Sequence, residues 1–120
     1  MSQANTTGQQ SEQLAMQYLQ QRGLILLEKN YHCRQGEIDL IMQDQQTLVF
    51  VEVRYRKTAR YGSALESVNL AKQSRIITTA QNYLQRNKTK FSACRFDVVA
   101  ISPTTTTPEI TWITDAFQLN

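Results

Sequence analysis

The sequence predicts an α/β domain, a mixed sheet flanked by helices, with the element order α-β-β-β-α-β-β. Three observations carry that expectation. Apolar residues recur at helical spacing in two separate stretches, first Leu14, Ala15, Tyr18 and Leu19, then Leu65, Val68, Ile76, Ala80 and Tyr83. Two runs rich in Val, Ile and Phe, at 37–43 and 47–56, flank a short polar turn. The chain has 120 residues, 41% hydrophobic and 19% charged, which suits one ordinary domain with a core of its own.

Residues 1–8 are polar and read as a flexible arm, which leaves 9–120 as the single domain. The first helix covers about 9–22 and stops at Gly23. Leu24–Lys29 is a short apolar run, either a strand or the end of a helical hairpin. The strands at 37–43 and 47–56 are joined through Asp44-Gln45-Gln46, and 57–63 reads as a loop. A second helix covers about 65–86 and ends in the polar stretch Asn87–Lys90. Residues 94–101 form a strand, Ser102–Pro108 a Thr-rich turn, and Glu109–Ile113 a last short strand.

Several kinds of chemistry are excluded early. Cys33 and Cys94 are too few for a disulfide framework and have no metal-ligand spacing around them. His32 is the single histidine, so a multi-histidine zinc site is ruled out. The polar N-terminus carries no secretory signal, and no apolar run approaches the roughly 20 residues of a membrane span. An intracellular, cytoplasmic protein without a membrane partner is therefore expected.

The hairpin at 36–56 carries the chemical signal. Side chains alternate faces along a strand, and directly opposed residues point the same way. A register that sets Leu40 opposite Val51 and Met42 opposite Val49 also sets Ile38 opposite Val53, so that one face is wholly apolar. The other face then stacks Ile41 with Phe50, Asp39 with Glu52, and Glu37 with Arg54. Opposed carboxylates need a compensating cation, a shared proton or a metal ion. With oxygen ligands alone, Mg²⁺ or Mn²⁺ is the natural ion. Arg54, on the same face, can contact an anion beside it. The pattern equally fits an edge hairpin with a solvated charged face and a weak Glu37–Arg54 surface pair.

These residues resemble the restriction-endonuclease-like superfamily, whose core motif is an Asp followed by Glu-X-Lys after a short hairpin. Within it, Gly36-Glu-Ile-Asp-Leu-Ile41 and Val49-Phe-Val-Glu-Val-Arg54 look like the YraN family of small bacterial proteins, relatives of archaeal Holliday-junction resolvases. The likeness spans about 8–117. It takes in Glu12 and Tyr18-Leu19 of the first helix, Tyr61-Gly62, Lys72, the 95–99 strand and Asp115-Ala116-Phe117. The resemblance implies Asp39 and Glu52 as metal ligands, with the backbone carbonyl of Val53 as a third. It implies Glu12 as a further acidic residue completing the site, where the bland alternative is a solvated glutamate favoured near a helix start. Arg54 stands at the motif's lysine position. Arginine stays protonated and cannot serve as a base, though it can hold a phosphate. Glu37 is the expected partner behind Arg54. Lys72 interrupts the apolar stripe between Val68 and Ile76, which snorkelling explains as well as a role at the site.

Arg54, Arg56, Lys57 and Arg60, interleaved with Tyr55 and Tyr61, follow the acidic hairpin directly. Cations hold phosphates and tyrosines stack on bases, so Arg56, Lys57, Arg60, Tyr61 and Lys72 are candidate nucleic-acid contacts. The formal charge of +3 conceals a division: residues 54–95 hold ten Lys/Arg against Glu66 alone, and the remainder three against nine acids. Two functions from different classes fit. One is a metal-dependent DNA endonuclease acting on branched or structured DNA; the other is a nucleic-acid-binding or adaptor protein with the same fold and no turnover. Symmetric cleavage of a junction would need a homodimer with two active sites.

Overall fold

The computed structural model describes residues 6–56, 61–87, 91–102 and 107–118. Helix α1 (Thr6–Gln21) leads into three strands, β1 (Ile25–Cys33), β2 (Gly36–Asp44) and β3 (Thr47–Tyr55). Helices α2 (Tyr61–Glu66) and α3 (Leu70–Arg86) follow, then β4 (Ala93–Ser102) and β5 (Glu109–Phe117). The strands lie in one sheet in sequence order. All neighbours are antiparallel except β3 and β4, whose parallel pairing needs the crossover that α2 and α3 supply. The α/β class and the order of strands agree with the sequence reading.

Each sheet face buries one side of the alternating pattern. Ala15 and Leu19 of α1 pack with Leu40, Met42, Val49, Val51, Val99 and Ile101. On the opposite face Ile76, Ala80 and Tyr83 of α3 cover Ile41, Phe50, Phe96 and Val98. Tyr83 meets both Tyr31 and Phe50 edge-on, and Phe50, Phe96 and Phe117 stack in series.

Boundaries differ from the sequence reading where burial is one-sided. Helix α1 begins at Thr6, inside the stretch expected to be an arm, whose residues 1–5 lie outside the described residues. The apolar run at 24–29 is a strand and continues to Cys33; β1 is a sheet edge, and in its outer half Tyr31 alone is buried, so alternation is invisible there. The helix expected at 65–86 is two. Asn69 caps α3, its side chain accepting the Lys72 N–H at 2.9 Å, and this ends the preceding turn. Tyr61–Ser63, expected as loop, belong to α2. Strand β5 runs past Ile113 to Phe117, across a bulge opposite Phe96–Val98.

Asp97 makes that bulge possible. Fully buried, it accepts the Asp115 backbone N–H at 2.9 Å, where Asp115 has a φ of 53°, together with Trp112 Nε1 at 2.9 Å and Arg95 Nε at 3.0 Å.

Candidate functional site

The β2–β3 register is the expected one, with Leu40 opposite Val51, Ile41 opposite Phe50 and Met42 opposite Val49. The ladder stops at Leu40–Val51, however, and does not continue through Asp39–Glu52, Ile38–Val53 and Glu37–Arg54. The Val53 N–H, which a longer ladder would direct to Ile38, donates to Asp39 Oδ2 at 2.8 Å. The side-chain faces also change here. Leu40 packs on the α1 side, whereas Ile38 and its β1 neighbour Tyr31 pack on the α3 side. Ile38 therefore does not share a face with Leu40 and Met42, contrary to strict alternation. The break falls at Asn30 and Asp39, and Asn30 takes the left-handed φ of 53° that such a break demands.

Opening the strands creates a polar gap at the sheet, and the acidic residues meet in it. Asp39 and Glu52 hydrogen-bond carboxyl to carboxyl, and Glu12 of α1 reaches Asp39 as well. Burial, then the charge of Asp39, pushes the Glu52 carboxyl up to about 9, so at neutral pH it holds the proton the pair shares. Burial raises Asp39 too, opposed by the Val53 N–H. Glu12 is raised by burial and by Asp39, while a hydrogen bond from Asn30 works the other way. The Arg54 guanidinium lies close enough to favour both ionised carboxylates, and Lys72 favours an ionised Glu52.

Two buried polar atoms in this gap, Glu52 Oε1 and Arg54 Nε, have no hydrogen-bond partner among the described residues. A buried polar atom without a partner costs about 1–3 kcal/mol, and more when charged. The donor set is all oxygen, which fits a hard divalent cation and leaves Glu52 Oε1 a use. Among the described residues no three Asp, Glu, His or Cys side chains close around one point, so the protein would supply two carboxylates. Water and substrate oxygens commonly complete such a shell for Mg²⁺.

Among the remaining candidates, Val53 contributes its N–H to Asp39. No ion pair among the described residues joins Glu37 to Arg54. Glu37 instead borders a cleft of about 140 Å³ with Gly36, Glu52, Lys72, Arg75 and Ile76. Arg56 is half-buried, and its N–H extends the parallel pairing to the Ile101 carbonyl at 2.9 Å. Lys57, Arg60 and the Tyr61 side chain lie outside the described residues. Sequence reasoning missed Asn30 and Arg75. Nothing in a polar edge strand distinguishes Asn30, and Arg75 enters only once α3 is docked on β2.

The chain matches the model of the family described as "Uncharacterised protein family UPF0102" over residues 11–101. It is 54% identical over 113 residues to a UPF0102 protein of Nitrosococcus oceani, covering 93% of this chain and 91% of the relative. A UPF0102 protein of Saccharophagus degradans is 54% identical over 121 residues, covering 100% and 99%. One from Psychromonas ingrahamii is 51% identical over 115 residues, covering 96% and 92%. The chain belongs to the UPF0102 family. Among the described residues no helix is long and apolar enough to cross a membrane.

Proposed function

We propose that this UPF0102 protein is a metal-dependent DNA endonuclease that hydrolyses phosphodiester bonds in branched or structured DNA. The observation that supports it above all is the meeting of Asp39 and Glu52 where the β2–β3 ladder opens, with Glu52 Oε1 buried and unpartnered. Asp39, Glu52 and the Val53 carbonyl would hold Mg²⁺ or Mn²⁺. When bound, such an ion supplies positive charge at the phosphodiester and makes water a competent nucleophile at neutral pH. Glu52 must release its proton to take part, and Arg54 lowers the cost of doing so. Arg54 also stands where a fixed cation can hold a phosphate oxygen as negative charge develops. It cannot accept a proton, which leaves Glu12, beside Asp39, as the carboxylate placed to receive one.

One observation favours a second reading. Arg54 occupies the position where the superfamily motif carries lysine, which suits a nucleic-acid-binding or adaptor protein without turnover. One experiment separates the two. Purified protein is mixed with four-way-junction, flap, single-stranded and duplex DNA, with Mg²⁺, with Mn²⁺ and with chelator. The nuclease reading requires metal-dependent cleavage that Asp39→Ala and Glu52→Gln abolish while binding survives. Cleavage unchanged in both variants would remove the site assignment, and salt-sensitive binding without cleavage would establish the adaptor.

A further inference from the structure

We propose that the cleft between α3 and the start of β2 seats a second backbone phosphate of the bound DNA strand, adjacent to the phosphate at the carboxyl pair, with Arg75 and Lys72 as its ligands. The proposal rests on the nuclease reading for the position of the first phosphate. Glu52 forms one wall of the cleft, so a group lodged there is the immediate neighbour of whatever occupies the Asp39–Glu52 gap. The volume, about 140 Å³, has room for one phosphate group but not for a base and sugar as well.

Arg75 and Lys72 stand three residues apart on α3, so their side chains emerge on one helical face. Both border the cleft, and neither forms an ion pair among the described residues, although Glu37 borders it too. Lys72 and Arg75 face this opening together with Glu37 and the Glu52 carboxyl that holds the shared proton, so the two cations outnumber the ionised carboxylates there, and a phosphate with several acceptor oxygens can be held by both. Arginine suits this task because its fork of donors matches two phosphate oxygens.

The helix is held at a fixed height over β2. A Cβ on Gly36 would meet Thr79 Oγ1 at 2.9 Å and the Arg75 carbonyl at 3.6 Å. Thr79 Oγ1 in turn donates to that same carbonyl at 2.8 Å. The backbone that carries Arg75 thus passes close over Gly36 beside the acidic gap, seated there by the buried Ile76 and Ala80, and a rigid mount is what repeated phosphate positioning requires.

The test is the salt dependence of binding to a labelled four-way junction, read by fluorescence anisotropy in chelator so that no cleavage intervenes. Arg75→Gln is expected to weaken binding about tenfold at low salt and to reduce the slope of log K against log salt by about half of the 0.9 that one phosphate contact carries. Arg75→Lys should recover most of the slope, and Lys72→Gln combined with Arg75→Gln should lose the whole of that one contact, about 0.9. Arg22→Gln, an equal loss of charge in the turn after α1, should leave the slope unchanged. Wild-type binding with an unaltered slope in Arg75→Gln overturns the cleft and leaves the nuclease reading standing. An equal loss in Arg22→Gln overturns it too, because net charge alone would then account for the effect. A reduced slope on DNA that the protein never cleaves supports the cleft and overturns only hydrolysis. A wild-type protein that binds no DNA at low salt overturns both.

Discussion

Asp39 Oδ2 takes the Val53 N–H at 2.8 Å, just past the last rung of the β2–β3 ladder. A side chain thereby satisfies a main-chain donor that the separating strands would otherwise strand in a half-buried gap. This one bond allows the strands to part without an orphaned N–H, and the parting makes room for the carboxyl pair.

Asp39→Ala and Asp39→Asn should therefore differ in stability and agree in activity. Alanine leaves both the Val53 N–H and the Glu52 hydroxyl without an acceptor, at a cost of about 1–3 kcal/mol in urea unfolding. Asparagine keeps an oxygen toward Val53 and should lose less than about 1 kcal/mol. Both should abolish metal-dependent cleavage, since neither offers the charge. An asparagine variant as unstable as the alanine one would mean that the Val53 bond matters less than the fold implies.

Glu52 gives the pH dependence. Its carboxyl is raised from 4.5 to about 9 on folding, so the folded state holds a proton that the unfolded chain releases. That contribution to stability is fully present below about pH 4.5 and is lost as pH climbs toward 9. Glu52→Gln mimics the protonated group and cannot ionise. In chelator the variant and wild type should be nearly equal at acid pH, with the variant pulling ahead by up to about 6 kcal/mol near pH 9. Saturating Mg²⁺ should narrow the gap, because it compensates the ionised pair in the wild type only. A constant difference across the range would contradict a shared proton.

How far the sequence foretells this site depends on which forces set each part. The register of β2 on β3 is legible because a one-residue slip would bury Glu52 among valines, and hydrophobic patterning forbids it. Its endpoint is not legible. Alternation extrapolates smoothly through Asp39, while the actual break coincides with the left-handed Asn30 in β1, a strand whose exposed edge leaves no periodic trace. The separation of α2 from α3 turns on the Asn69 cap, a local bond that the apolar stripe from Val68 to Ile76 overrides in any periodicity count. Arg75 was hidden for a third reason, since its relation to Glu52 exists only through the contact of α3 with Gly36.

Asn30 links the break in the strands to Glu12. Its left-handed backbone suits glycine, and its side chain hydrogen-bonds Glu12. Asn30→Gly should preserve stability within about 1 kcal/mol, whereas Asn30→Ala should cost about 1–2 kcal/mol in strain. Both release Glu12, so both should reduce cleavage by a similar factor despite their different stabilities. Full activity in Asn30→Gly would show that Glu12 needs no such anchor.

Asp97 should matter to stability and not to chemistry. Asp97→Ala leaves the half-buried Arg95 and Trp112 donors and the Asp115 N–H without their shared acceptor and should cost about 3–5 kcal/mol. Trp112→Phe removes one of those donors and should cost about 1–2 kcal/mol. Cleavage per folded molecule should be unchanged in Trp112→Phe, because the network lies at the β4–β5 bulge. A specific loss of activity at full occupancy of the folded state would tie that bulge to the acidic gap.

Gly36 and Thr79 form a pair whose coupling can be measured directly. A Cβ at position 36 would stand 2.9 Å from Thr79 Oγ1, too close for both to keep their places. Turning the threonine away sacrifices its bond to the Arg75 carbonyl, and lifting α3 opens the core beneath Ile76 and Ala80. Gly36→Ala should therefore destabilise by about 1–3 kcal/mol. In Thr79→Ala the hydroxyl is gone, and the added methyl group finds room. The double variant should then be more stable than the sum of the single effects predicts, by about 1 kcal/mol or more in a double-mutant cycle. If helix height also governs Arg75, Gly36→Ala should weaken DNA binding where the double variant restores it. Strict additivity in the cycle would show that α3 accommodates the methyl by moving as a body, and the cleft beside Glu52 would not be rigidly held.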